Sequence, residues 1–409
     1  MGYNLFMAKE EYDIVIIGAG ASGLMLAANL NLNGSRGVIL EGSSRAGSKL
    51  LMSGGGHCNI THGGSIKDFI YAYGSGGQAL RRCLYRHSNL ELANWLSDHG
   101  IDLADENGDP VDPSYGAGGM DSAGRIFPAS MKARDVLDVL CNETDWNGWQ
   151  TVTDAKVCGL RNDDGLWEIT LINEYELWAK NVVIAAGGIT YPETGSDGSM
   201  LGILGDLGIE INEPRPALAP VYVEDYPYSE LSGISVPDVT VTAFSSDAER
   251  GGKGKAAKMK GDLLFTHEGL SGPVILNISK HVEPGELISI CYNKELQELP
   301  KRMQRVMRDR ARGVAGDVKT SVLASMLDHD DFRVSGVDER GMVTAGGVKL
   351  DEIDMRTMRS KRFDGLYVIG EALDADGITG GYNLQLCWST AAAAADDLRV
   401  IFEKGGQGE

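Results

Sequence analysis

Basic residues are scarce in this chain of 409 residues: 38 Lys and Arg stand against 58 Asp and Glu, for a formal net charge of −20. A surface that acidic repels phosphate backbones and anionic lipid, so neither nucleic acid nor a membrane is an expected partner. Cysteine is too scattered to form a scaffold. The six (Cys58, Cys83, Cys141, Cys158, Cys291 and Cys387) make no CxxC or CxxxxC pair. That excludes a zinc knuckle and a redox dithiol and fits a reduced, intracellular protein. No apolar run approaches the ~20 residues that a membrane span needs. Residues 1–13 lack a basic stretch leading into an apolar one, and Phe6 stands where a myristoylation motif takes Ser or Thr. A cytoplasmic location is expected.

What the chain has in excess is glycine, 54 residues, about twice the usual share. Glycine concentrates where backbone bends with positive φ or approaches a ligand closely. With 43% hydrophobic and 23% charged residues the composition is globular. The length predicts about two to three domains.

The clearest element comes first. Asp13-Ile14-Val15-Ile16-Ile17 reads as a strand buried on both faces of a parallel sheet. Gly18-Ala19-Gly20-Ala21-Ser22-Gly23 follows, then the helix former Leu24 to Leu30, then a second apolar run from Gly37 to Leu40 that ends in Glu41. In such a βαβ unit the first glycine permits the tight turn, the second lets backbone approach a pyrophosphate, and the third allows close helix packing. The helix N-terminus offers unpaired N–H groups to the phosphates, and the acid accepts from a ribose. The motif does not separate FAD from NAD.

Residues 43–64 show no helix or strand periodicity and read as a long loop, which in a compact domain is functional or disordered. Residues 78–99 and Ala133 to Cys141 read as helices, and Thr151 to Leu160, Trp167 to Ile172 and Asn181 to Ala186 as strands. From about residue 195 the pattern changes. Residues 218–293 are β-rich with Pro and Gly punctuation, predicting a small barrel or sandwich, and about 294–331 form a helical subdomain. A last strand, Gly365 to Ile369, is followed by a glycine-rich loop and a helix from Ser389 to Phe402. The expected fold is α/β: a Rossmann-like dinucleotide-binding domain with an inserted β-rich domain and a small helical subdomain. Its first part is residues 1–194, the insertion 195–344 and its second part 345–409.

Three adjacent glycines in Ser48 to Asn59 expose a row of backbone N–H groups, a nest for anionic or polar ligand atoms. Lys49 is placed for a charge-assisted bond to a phosphate. That loop, running on through Ile60 and Thr61, resembles the signature loop of the BaiN/YhiN-type flavoproteins, which include aminoacetone oxidase-like enzymes and a bile-acid-inducible reductase. Ala186 to Gly198, Phe265 to Pro273 and Gly370 to Gln385 resemble the family's other motifs, in its order.

The resemblance implies bound FAD and makes the fold a Rossmann-like FAD-binding domain in two parts, with the insertion between them. By position, Gly18, Gly20, Ala21, Ser22, Gly23 and Glu41 hold its ADP portion, and Lys49, Ser53, Gly54, Gly55 and Asn59 lie along the pyrophosphate and flavin. Val157 supplies a backbone contact to adenine, and Ala186 and Gly187 come from the middle motif. Gly370, Glu371 and Asp374 contact the pyrophosphate and ribityl chain, while Gly381, Asn383 and Leu384 line the isoalloxazine. One departure stands out: the family has Arg where this chain has His57, and histidine is shorter and near neutral at pH 7. His57, Cys58 and His62 lack the partners a metal site needs.

Flavin carries the electron transfer, and the protein supplies orientation and a proton. Tyr382 and His267 are the candidate catalytic residues, with His57 and Cys58 behind them. No second strand–GxGxxG–helix unit occurs in residues 195–344, so NADH or NADPH enters only as a transient donor. The expectation is an FAD-dependent oxidoreductase for a small or medium organic substrate bound between the FAD domain and the insertion, an NAD(P)H-fed reductase or an amine-type oxidase. A flavin-dependent RNA-modifying enzyme and a non-enzymatic flavin-binding protein are the alternatives. The charge opposes the former, whose one basic cluster is Lys253, Lys255, Lys258 and Lys260.

Overall fold

The computed structural model describes residues 10–114, 119–120, 122–245, 254–315 and 320–405. The chain divides into two units, Met1–Pro214 with Thr344–Glu409, and Arg215–Val343.

In the first unit the opening strand β1 (Glu11–Ile17) leads through the glycine turn into α1 (Ala21–Asn29) and β2 (Gly37–Leu40). After α2 (Ala133–Trp146) come β3 (Gln150–Val152) and a meander of β4 (Val157–Asp163), β5 (Leu166–Leu171) and β6 (Glu176–Ile184). The chain returns with β7 (Leu366–Val368) and α3 (Tyr382–Gly405). The parallel core runs β3-β2-β1-β6-β7, extended beyond β7 by two short strands. Ile14, Val15 and Ile16 are wholly buried, as the apolar run requires, with β1 held between β2 and β6 at the centre of the sheet. Registers are in step across the centre, Ile16 opposite Ile39 on one side and Val183 on the other. Asp164 and Gly165, both at positive φ, make the two-residue turn between β4 and β5.

The second unit holds a closed six-stranded barrel, in the order Val221–Val223, Leu270–Ser271, Lys255–Phe265, Ser235–Phe244, Leu287–Cys291 and Asp330–Val337. Val236, Val239, Val241, Phe265, Ile288 and Ile290 fill its core without exposure. Helices Lys301–Ala315 and Thr320–Asp328 precede the last strand.

Four expectations need correcting. Residues 195–214, expected in the insertion, belong to the first unit, where Ser199–Asp206 is a helix with Met200, Leu201 and Leu204 buried. The last barrel strand begins at Asp330, just inside the span expected to be helical. Residues 43–64 are not without structure: Ser48–Met52 is helical and Thr61–His62 pairs with Arg125–Pro128. The final helix starts at Tyr382 instead of Ser389, because Gly380 and Gly381 already end the loop at positive φ. Asn383 and Leu384 therefore sit in its first turn.

Candidate flavin site

The C-terminal ends of β1, β6 and β7 meet where strand order reverses, the place where open α/β sheets bind ligands. A Cβ on Gly18 would lie 2.5 Å from the Ala185 carbonyl oxygen, and one on Gly23 would lie 2.0 Å from the Gly18 oxygen, so both positions require glycine for packing. Gly20 differs. A Cβ there would meet nothing within 4 Å, so its backbone borders open space. The α1 N-terminus behind it, with Ala21 and the buried Ser22, has no side-chain cap and no acid in its first turn. Uncapped N–H groups and open space fit a pyrophosphate.

Glu41 is buried. Its carboxylate accepts the Ala19 N–H at 2.9 Å and the Ser43 N–H at 2.7 Å, which fixes it beside the turn at the end of β2. The Glu41 carbonyl accepts the Ala155 N–H at 2.8 Å, which draws the start of β4, with buried Val157, to the same edge.

Lys49, Glu371 and the middle motif form one polar knot. The Lys49 ammonium donates to Glu371 at 2.6 Å, Thr190 at 2.9 Å and Ser196 at 3.4 Å. Glu371 also accepts the Thr344 N–H at 2.8 Å. Ser196 accepts the Gly188 N–H at 3.0 Å, beside Ala186 and Gly187. Gly370 closes the knot on α1, since a Cβ there would lie 2.6 Å from the Ser22 hydroxyl.

In the glycine loop, Gly54, Gly55 and Gly56 all take positive φ, a conformation L side chains resist, and the Ser53 hydroxyl donates to the Leu50 carbonyl at 2.7 Å. Asn59 is already committed. In the orientation its neighbours demand, its amide donates to the Thr61 carbonyl at 3.0 Å and accepts the Gly381 N–H at 3.0 Å. The Asn383 carboxamide accepts the Gly377 N–H at 2.8 Å and donates to the Gly377 carbonyl at 2.9 Å. Asp374 accepts from Asn212. These three side chains brace the loops, while Leu384 is half-buried at the helix start.

Tyr382 opens α3, nearly buried, and burial pushes its hydroxyl up to about 12. Its ring stacks on His62, centroids 5.0 Å apart and 13° from parallel, and meets Phe69 edge-on at 4.9 Å. His62 faces the Gly63 carbonyl with Nδ1 at 2.8 Å. Sequence reasoning weighed His62 only as a metal ligand; its pairing with Tyr382 is visible only in three dimensions. Burial pushes the Cys58 thiol up to about 11, which removes it as a nucleophile. His57 is exposed, its Nδ1 2.9 Å from the Met131 carbonyl oxygen. His267 is exposed in the second unit. Lys253 lies outside the described residues, and Lys258 and Lys260 are exposed on a barrel strand. Among the described residues no His, Cys, Asp and Glu group is arranged to hold a metal, and no helix is long and apolar enough to cross a membrane.

Residues 12–397 match the family model described as HI0933-like protein Rossmann domain. The chain is 30% identical to the ribosomal RNA dihydrouridine synthase of Haemophilus influenzae, covering 93% of this chain and 97% of that one. The Escherichia coli protein of the same name is also 30% identical, over 95% and 98%. The 3-dehydro-bile acid delta(4,6)-reductase of Clostridium scindens is 26% identical, over 93% and 97%. Among solved structures, the FrdA subunit of the E. coli quinol fumarate reductase shares the fold, with a TM-score of 0.52 at 14% identity over 98% of this chain and 72% of that one.

Proposed function

The chain belongs to the HI0933-like Rossmann-domain family and is an FAD-dependent oxidoreductase; from that premise we propose a reductase, fed by NADH or NADPH, that saturates a carbon–carbon double bond conjugated to a carbonyl group. One observation carries the reading. The names of relatives matched over more than nine-tenths of this chain share that step. Dihydrouridine is uridine saturated at a bond conjugated to a ring carbonyl, and a delta(4,6)-reductase acts on bonds conjugated to a 3-ketone. The site chemistry is compatible, because such a reduction needs a hydride, a proton and little else.

When bound and reduced by the nicotinamide, FAD would supply the hydride. The chain's own groups do the rest. The Gly20 turn and the α1 N-terminus would hold its pyrophosphate and Glu41 its ribose, while the Lys49–Glu371 knot sets the loop spacing. Tyr382 keeps its proton at neutral pH and delivers it to the carbon next to the carbonyl, while His62 and Phe69 hold its ring and exclude water. Two substrate classes meet the description: a free enone of small or medium size, and a uridine within RNA. The net charge of −20 favours the first.

The test is anaerobic. The FAD-loaded protein should show a band near ~450 nm that NADH or NADPH bleaches. A 3-oxo-4-ene steroid or a uridine-containing RNA should then restore the band and gain two hydrogens. Peroxide release from amines, with both acceptors untouched, would sink the reading.

A further inference from the structure

An open cleft of about 820 Å³ lies wholly within the first unit, between the helix Gly77–Arg86 and residues 350–361. Sites that hold cofactor-sized ligands have volumes of this order. On a strongly acidic chain its walls carry Arg81, Arg82, Arg86, Arg356 and Lys361, against Asp351 and Asp354. Some of that charge is already used: Arg86 pairs with Asp396 at 2.8 Å and Arg356 with Asp354 at 2.8 Å. Arg81 and Arg82 are exposed neighbours with no carboxylate partner among the described residues. Arg81 lies over the ring of Tyr85, 5.7 Å from its centroid, and that ring is half exposed. Two adjacent guanidinium groups without carboxylate partners, beside a half-exposed aromatic ring, suit a pyrophosphate and a base.

Leu350, in the cleft wall, also packs at the start of this helix against the last glycine-rich motif. A Cβ on Gly76, just before the helix, would lie 3.5 Å from Leu350 and 3.8 Å from Ala375. With a rise of 1.5 Å per residue, Arg81 and Arg82 stand about 8 to 9 Å further along the helix, within the reach of an extended dinucleotide. The chain also lacks a second GxGxxG turn for a nicotinamide domain, so a donor must bind elsewhere.

We propose that this cleft docks the pyridine-nucleotide donor, its pyrophosphate on Arg81 and Arg82, its adenine on Tyr85 and its nicotinamide toward Gly76 and Ala375. The inference rests on the reductase reading, because an oxidase needs no such donor. In the step served, the C4–H bond of the dihydronicotinamide breaks, its hydride passes to bound FAD with a proton from solvent, and the nicotinamide leaves as its cation. The further positive charge of Lys361, whose ammonium donates to the Asp351 carbonyl at 2.8 Å, favours NADPH, with its extra phosphate, over NADH.

The test uses FAD-loaded protein and NADP⁺, whose binding calorimetry measures without turnover. The double variant Arg81→Glu/Arg82→Glu should weaken NADP⁺ by about tenfold or more, an effect that salt diminishes. It should slow flavin bleaching at low NADPH while leaving the FAD content and melting temperature unchanged, because both side chains are exposed. Tyr85→Ala should weaken NADP⁺ in the same direction. Wild-type NADP⁺ affinity in the double variant would overturn the proposal, as would no NADP⁺ binding to the wild type. Loss of oligouridylate binding alone would overturn it too and mark the cleft as an RNA surface. Dithionite-reduced protein separates the two readings. If it saturates neither acceptor, the reductase reading fails whatever the nucleotide result; if it does while NADP⁺ ignores Arg81 and Arg82, only the cleft assignment falls.

Discussion

The Lys49 ammonium stands 2.6 Å from the Glu371 carboxylate, joining the glycine loop to the last motif across 322 positions of chain. Both side chains are mostly covered, 23% and 17% exposed, so neither charge is fully hydrated when its partner is gone. Lys49→Met leaves Glu371 with only the Thr344 N–H and the Thr190 hydroxyl. We expect a loss of about 1–3 kcal/mol of stability and weaker FAD retention. Lys49→Met/Glu371→Leu should recover part of the stability without the FAD affinity. Thermal melts with and without FAD measure both.

The glycines of the first turn should separate folding from binding. Gly23→Ala places a methyl 2.0 Å from a carbonyl oxygen, so the strand and helix must part, at a cost of about 2–4 kcal/mol. Gly20→Val meets no protein atom at its Cβ. It should leave the melting temperature of the FAD-free protein nearly unchanged yet abolish the ~450 nm band of the loaded one. Equal destabilisation by the two changes would contradict the open space assigned to Gly20.

The first strand, its turn and Glu41 were legible because local rules specify them: an all-apolar run, glycines at fixed offsets and a terminal acid. The position of the last helix was not. Gly380-Gly381 reads as loop, and only the collision of a Gly381 Cβ with the Thr61 carbonyl at 2.3 Å explains why those glycines abut a helix. Asn59 and Asn383 illustrate the same limit. The resemblance places both along the flavin; their amides also bond Gly381 and Gly377, partners that no spacing rule reveals. The stack of His62 on Tyr382 joins residues 320 positions apart in the chain and leaves no local signal.

His87 should make stability depend on pH. Burial lowers its value from the ordinary 6.5, with Asp396 opposing and Arg86 and Arg399 assisting. Its Nε2 has no hydrogen-bond partner, and the nearest Asp396 oxygen is 3.6 Å away. The unfolded chain therefore takes up this proton first as pH falls. The contribution is complete above pH 6.5 and fades as pH drops from there through the folded value. Melting temperatures from pH 7.5 to 5.5 should fall more steeply for the wild type than for His87→Phe.

In the barrel unit, Asp330 is 2% exposed and accepts from Arg310 at 2.9 Å and from the Tyr292 hydroxyl at 2.7 Å, with Tyr228 as a further donor. Asp330→Asn strands the Arg310 charge and should destabilise this unit by about 3–5 kcal/mol. Asp330→Leu/Arg310→Met removes both ions and should cost less than the single change. Denaturant unfolding followed by the fluorescence of the full chain distinguishes the two.

Tyr382 poses the sharpest question about chemistry. Its hydroxyl, raised to about 12 by burial, stays protonated through neutral and mildly alkaline pH, so it holds a proton where a reduction needs one. Tyr382→Phe keeps the ring that stacks on His62 and removes only that proton. If Tyr382 serves as the acid, turnover with an enone or uridine acceptor should fall about a hundredfold while FAD affinity and bleaching by NADPH stay unchanged. The proton is present below its raised value and lost above it, so wild-type turnover should show no decline from Tyr382 between pH 7 and 10. His267→Ala, which alters an exposed side chain in the other unit, provides the contrast. A Tyr382→Phe protein within twofold of wild type would reduce Tyr382 to a packing residue and move the proton source to solvent.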